Sequence, residues 1–347
     1  MSRNSRRVTF HGGAEVSLAT EPVAAPGPGE VRVASTLVGL CGSDLHAVQG
    51  DHPFMNLPYS PGHEVVGTVD AVGEGVSDLA VGDRVVVEPN LTCGTCANCL
   101  AGNYNICETL AVFGCQTPGG MSDYFLIDAS RLHLIPADLP DAYAALIEPL
   151  ATPAHAVTKA GVGEEAKVAV LGAGTIGVLV ALVAKARGAR QVVITDTDPV
   201  KRERALRLGI DAALSPAEFS QQIAEAQDFD VAFDCVTNVP SAAQAVGAVR
   251  KGGTVVVVGV PAESILFPLH LVQDRELRIL GTLMYTKADY EWAMSYLADQ
   301  PAGLDELITS YYGLEEAGAA LAAALSGNEG KVVVTPGIEA TAKASSP

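Results

Sequence analysis

The chain has 347 residues, long enough for two domains rather than one. Its 22 basic and 40 acidic side chains leave a net charge of −18, a field that repels phosphate backbones and argues against a nucleic-acid partner. Apolar residues make up 48%, no apolar run reaches membrane length, and no apolar segment follows the basic residues 1–7. A globular, cytoplasmic protein with no membrane partner is therefore expected.

Residues 8–35 alternate apolar and polar between breaks at Pro22 and residues 26–29, and residues 29–33 read as a strand. Short, glycine-punctuated strand patterns follow at 64–73, 81–87 and 122–127, which predicts a small irregular β-domain. The character changes after about residue 140. Residues 141–160 are rich in helix formers. Apolar strand patterns then occupy 167–171, 191–195, 229–234, 254–258 and 277–280, with helical patterns at 176–187 and 201–208. Continuous apolar strands alternating with helices predict a parallel, doubly wound sheet. The polar tail, residues 338–347, is expected to fray.

Seven cysteines stand at 41, 93, 96, 99, 107, 115 and 235. An odd number, four of them closely spaced, argues for metal over a disulfide framework. Cys93-x2-Cys96-x2-Cys99-x7-Cys107 offers four thiolates, which close a tetrahedral zinc completely and leave no room for substrate. A structural zinc lobe at about residues 93–107 is expected. An iron–sulfur run of this kind ends Cys-Pro, whereas Glu108 follows Cys107 here. Cys115 and Cys235 lack metal-like spacing and read as buried, unreactive thiols.

Gly39-Leu40-Cys41-Gly42-Ser43-Asp44-Leu45-His46, read with Pro61-Gly62-His63-Glu64, supplies a thiolate, imidazoles, carboxylates and a hydroxyl. These suit a catalytic zinc that keeps one position open. A buried cysteine, a satisfied histidine and a Ser43 that caps a helix beginning near Leu45 form the competing reading.

Gly172-Ala173-Gly174-Thr175-Ile176-Gly177 follows one strand pattern and opens a helix, the context that makes G-x-G-x-x-G a dinucleotide fingerprint. Gly172 permits the tight turn, Gly174 the approach of a pyrophosphate, and Gly177 close helix–sheet packing. The helix N-terminus then faces the phosphates. Asp196, at the end of the next strand, can accept hydrogen bonds from a ribose 2′-hydroxyl, which favours NAD over NADP. Lys201 and Arg202 keep a phosphorylated cofactor open, and a helix cap is the plainer role for Asp196.

Together with Glu148-Pro149, these motifs resemble the zinc-dependent medium-chain alcohol dehydrogenase family over about residues 29–336. Glu148 points to its polyol, threonine and butanediol dehydrogenase branch, which has a carboxylate where other members place a cysteine. The resemblance implies a GroES-like irregular β catalytic domain over 1–150, a Rossmann domain over 151–285 and a return to the catalytic domain over 286–347. It implies two Zn2+ per chain, NAD, a small-molecule alcohol or ketone, and a homodimer or homotetramer. It makes Cys41 and His63 ligands of the catalytic zinc, completed by Glu64, Glu148 or a water that one of them holds. Asp44 matches an acid that orients the histidine ligand, Ser43 the hydroxyl that takes the substrate proton, His46 the exit of that proton to solvent, and Lys201 a cation near the adenosine ribose. His155 is expected on the packing or cofactor side.

Sorbitol dehydrogenases carry an Arg-Tyr pair where this chain has Met284-Tyr285. That turns the expected substrate from a long polyol toward a diol-like secondary alcohol. Asp51, His52, Phe54 and Tyr59 are candidates to line its pocket. An amino alcohol of the threonine kind, or an amino-cyclitol, is the alternative within the family. A non-catalytic NAD-binding protein is the alternative outside it, and the presence of both cysteine sets disfavours a metal-free reductase.

Overall fold

A computed structural model describes residues 2–261 and 264–337; the tail expected to fray lies outside the described residues. Two units emerge. The first comprises Met1–Glu148, Met294–Gln300 and Asp305–Pro347, the second Pro149–Ala293 and Pro301–Leu304.

The chain begins with an antiparallel hairpin of β1 (Arg3–Gly12) and β2 (Glu15–Val23). Next come β3 (Glu30–Gly39), helix α1 (Gly42–Gln49), β4 (Glu64–Val72) and β5 (Arg84–Val87). A two-residue ladder of β6 (Asn90–Leu91) and β7 (Ala111–Val112) brackets α2 (Ala97–Leu100) and the four cysteines. β8 (Tyr124–Asp128), β9 (Leu132–Leu134) and α3 (Asp141–Ala144) complete the first pass. The residues read as one strand at 81–87 begin their strand only at Arg84, because Gly82, at φ +97°, turns the chain first. Residues 141–160, rich in helix formers, fold as two helices.

The second unit starts inside α4 (Ile147–Ala160). It continues β10 (Lys167–Leu171), α5 (Thr175–Ala186), β11 (Gln191–Thr195), α6 (Pro199–Arg207), β12 (Ala212–Leu214) and α7 (Pro216–Glu225). Then follow β13 (Phe229–Asp234), α8 (Val239–Ala248), β14 (Val249–Val257), α9 (Leu269–Asp274), β15 (Arg278–Gly281) and α10 (Lys287–Ala298), whose end from Met294 belongs to the first unit. All strand pairs are parallel, in the order β12-β11-β10-β13-β14-β15. Counted from β10 this is 3-2-1-4-5-6, the order of a dinucleotide-binding doubly wound sheet. Its central strands are apolar because both faces are covered: Val168, Ala169, Val170, Val192 and Ile194 are fully buried. Local signals agree with the packing. Asp198 accepts from Val200 N–H ahead of Pro199, and Ser215 and Glu218 cap α7 reciprocally.

The last elements, β16 (Ile308–Gly313), α11 (Ala317–Leu325) and β17 (Lys331–Thr335), return to the first unit. Its sheet runs β16-β17-β3-β4-β5-β9, with β8 also paired to β3. Val8, Phe10, Val31, Val33, Phe125 and Val334 are among its core side chains; burying each stabilises by about 1.5–3 kcal/mol. The register decides what meets at one end: Gly39 pairs with both Glu64 and Val333. Thus the exit of β3, the start of β4 and the start of β17 converge.

Candidate active site

Three side chains meet at that end. Atoms of Cys41, His63 and Glu64 that can bind a metal lie within 4.8 Å of one another. Cys41 stands just before α1, which begins at Gly42 and not near Leu45. His63 precedes β4, after Gly62 at φ +111°, where any Cβ would sit 2.4 Å from Met121 N. Gly39 leaves room for Glu64, since a Cβ there would lie 1.9 Å from the carboxylate.

Each of the three is held by a different neighbour. Lys331 Nζ donates to both oxygens of Glu64 at 2.6 and 2.7 Å and to Leu40 O at 3.1 Å. Asp44 accepts from the Cys41 N–H at 3.0 Å and from the Tyr59 hydroxyl at 2.8 Å. Asp44 therefore fixes the backbone of the cysteine and acts on His63 through its charge. The His63 Nδ1 faces Cys115 Sγ at 3.7 Å. Cys115 thus belongs beside the site, contrary to its reading as an unrelated thiol. Cys235 stands apart in the second unit, its thiol pushed up by burial and by Asp234.

The field at the cluster favours positive charge. Burial opposes charge on His63, yet Cys115, Cys41 and Asp44 hold its pKa well above the usual value. Lys331 shows the same balance: burial disfavours its charge, while Glu64, Cys41 and Glu148 raise its pKa. Glu148 is buried in the first turn of α4 and lies outside the three-residue cluster. On α1, Ser43 is half-buried and His46 exposed, and their i,i+3 spacing puts them on one helix face.

The four other cysteines form a second cluster. Cys107 Sγ lies 3.5 Å from Cys93 and 4.0 Å from Cys96, and Cys93 lies 4.0 Å from Cys99. A tetrahedral zinc with bonds of about 2.3 Å requires sulfur separations of about 3.8 Å, so the set fits that ion. The mixed S, N and O donors of the first cluster fit a zinc that retains an open position.

In the second unit, Gly172 takes φ +98° and a Cβ on Gly177 would meet Gly172 O at 1.8 Å. A Cβ on Gly174 would meet nothing within 4 Å, and this residue opens α5. The loop therefore has the space and the free N–H groups that a pyrophosphate needs; Thr175 and Ile176, both half-buried, form its first helical turn. The Asp196 carboxylate accepts from Ala173 N–H at 2.8 Å and Asp198 N–H at 2.9 Å, which ties it to the loop. Lys201 is half-buried on the first turn of α6, while Arg202 donates to the carbonyls of Asp196 and Thr197. His155 bonds Asp289 at 2.8 Å, and His133, which the sequence left without a role, bonds buried Glu88 at 2.7 Å.

A chain that has both a 3-2-1-4-5-6 sheet with a glycine-rich loop and a unit with two zinc-like clusters is a metal-dependent, nicotinamide-linked oxidoreductase. Residues 27–137 match the alcohol dehydrogenase GroES-like domain and residues 175–299 the zinc-binding dehydrogenase domain. A sorbitol dehydrogenase of Halalkalibacterium halodurans is 34% identical, over 94% of this chain and 98% of its own. An L-threonine 3-dehydrogenase of Deinococcus deserti is 32% identical, over 89% and 92%. A solved zinc-binding dehydrogenase of Sinorhizobium meliloti, bound to NADP, superposes with a TM-score of 0.89 at 29% identity, over 96% of this chain and all of that one. The chain belongs to the zinc-dependent medium-chain alcohol dehydrogenase family, and it is an alcohol-oxidising oxidoreductase that uses zinc and a nicotinamide cofactor. Among the described residues no helix is long and apolar enough to cross a membrane.

Proposed function

We propose that this enzyme oxidises a neutral, diol- or polyol-like secondary alcohol with NAD, at a zinc held by Cys41, His63 and a carboxylate. The observation that carries this reading is the convergence of Cys41, His63 and Glu64 ahead of the Ser43–His46 face of α1. Glu64, with Lys331 bound to it, and buried Glu148 are the carboxylates available to complete the sphere. When bound, zinc supplies a Lewis acid that lowers the pKa of the alcohol, and the nicotinamide accepts the hydride. Ser43 takes the hydroxyl proton and His46, exposed on the same helix face, releases it to solvent. Cys93, Cys96, Cys99 and Cys107 hold the structural zinc. Gly172, Gly174, Thr175, Ile176 and Gly177 seat the pyrophosphate, Asp196 selects the free ribose, and Lys201 stands near the adenosine.

A cavity of about 430 Å³ in the first unit reaches the cluster through Cys115, which lies 3.7 Å from His63. Asn56, Tyr59, Ser60, Cys115, Gln116 and Thr117 are on its wall, and none of its described lining residues is an acid or a base of the Asp, Glu, Lys, Arg or His type. The working assembly is proposed to be a homodimer or homotetramer in the cytoplasm. Among the described residues β15 is an edge of its sheet, and Leu266, Leu269, Ile279 and Leu283 are exposed on or near it. Such an edge is a ready pairing surface.

Initial rates of nicotinamide reduction across diols, polyols, threonine and sugar acids, with NAD and with NADP, test the proposal. Preference for a neutral diol or polyol with NAD is expected. Preference for threonine favours the amino-alcohol reading, and no reduction with any alcohol favours a protein that only binds the cofactor.

A further inference from the structure

We infer that Cys115 is the positioning residue of His63: its sulfur accepts the Nδ1–H and so aims the Nε2 lone pair at the metal. This rests on Cys41 and His63 holding the catalytic zinc. Four observations carry it. The Cys115 Sγ to His63 Nδ1 distance of 3.7 Å is within hydrogen-bond range for sulfur. Asp44, whose charge acts on His63, has one oxygen on the Cys41 N–H and the other on the Tyr59 hydroxyl. Tyr59 is itself fixed, edge-on to Phe10 at 5.8 Å and in a backbone bridge with it. Finally, the turn that carries Cys115 is docked on the histidine's own backbone, where a Cβ on Gly114 would come within 2.5 Å of Gly62 C and 2.7 Å of His63 N. The backbone that carries the thiol therefore cannot drift from the ring without moving the ligand.

A histidine that ligates a metal needs its second nitrogen fixed, and loss of that partner typically weakens metal affinity about 10–100-fold. A sulfur does this here without adding a second carboxylate beside Asp44. Cys115 also lines the cavity with Tyr59 and Gln116, so one side chain touches both a metal ligand and the space open to substrate.

The experiment compares zinc-loaded wild type, Cys115→Ala and Cys115→Ser by competition with a chromophoric chelator, and by visible absorption after cobalt replaces the more labile zinc. Wild type is expected to hold two zincs. Cys115→Ala should lose the labile one about 10–100-fold more readily and shift the cobalt bands. Cys115→Ser should recover part of the loss, while the four-cysteine zinc stays unchanged in all three. A Cys115→Ala protein that holds both zincs as tightly as wild type, with unshifted cobalt bands, overturns the inference. A wild type that binds one zinc instead overturns the catalytic-zinc reading beneath it.

Discussion

Lys331 and Glu64 form a buried ion pair, with Nζ 2.6 and 2.7 Å from the two carboxylate oxygens and side chains only 3% and 1% exposed. The pair joins the first residue of β17 to the first residue of β4, 267 positions apart. It also places a positive charge near Cys41, so the cluster's negative field is partly balanced before any metal enters.

Replacing one partner leaves the other charge buried and unpaired. Lys331→Met should cost about 3–5 kcal/mol in denaturant unfolding, and adding Glu64→Leu should recover much of it. A loss below about 1 kcal/mol for the single variant would show that the pair is not closed in solution.

Cys41→Ser should remove one of the two zincs. Losing a Lewis acid worth several kcal/mol lowers turnover about 10³-fold or more. Cofactor affinity, read by fluorescence titration of the reduced nicotinamide, should stay near wild type, because the glycine-rich loop lies in the other unit.

Cys96→Ser should act on stability instead. The lobe has a two-residue ladder and a four-residue helix, so metal supplies much of its order. The variant should unfold at lower temperature and be cut sooner by protease within residues 93–107. Unchanged stability would argue against a structural zinc.

Glu88 predicts an acid-sensitive joint. Burial alone would raise its pKa, but His133 and Tyr104 bond both carboxylate oxygens and hold it below the usual 4.5. The unfolded chain binds that proton first, so the group stabilises the fold above its unfolded pKa. The contribution is lost as pH falls through the lower, folded value. Glu88→Gln should flatten the acid limb of the stability curve below about pH 4.5, measured by thermal unfolding.

Asp196→Ser should lower preference for NAD over NADP, by roughly tenfold if one charge-assisted hydrogen bond to the ribose is lost. The carboxylate also accepts from Ala173 N–H, so the KM for NAD should rise with it. Unaltered cofactor preference would leave Asp196 as a brace for the loop alone.

The doubly wound sheet and the spacing of the four cysteines were legible because both are local. A buried parallel strand is a continuous apolar run, and Gly172 to Gly177 is defined by the strand before it and the helix after it. The β1–β2 hairpin was not legible, since β2 is exposed along most of its length and shows no clean apolar face. Lys331 and Cys115 were missed for another reason. Neither has a motif, and each reaches the cluster only through tertiary contacts: β17 registering on β3, and Gly114 packing on Gly62. Asp44 was visible, but its partner depended on Tyr59, which arrives through a bridge to Phe10.

The measurement that bears most directly on the central claim is zinc content against turnover during graded removal by chelator. The account predicts that NAD-dependent alcohol oxidation falls in proportion to the first zinc lost, while the second remains bound, and that activity returns when zinc is restored. Full turnover by a protein that retains only the four-cysteine zinc would contradict it.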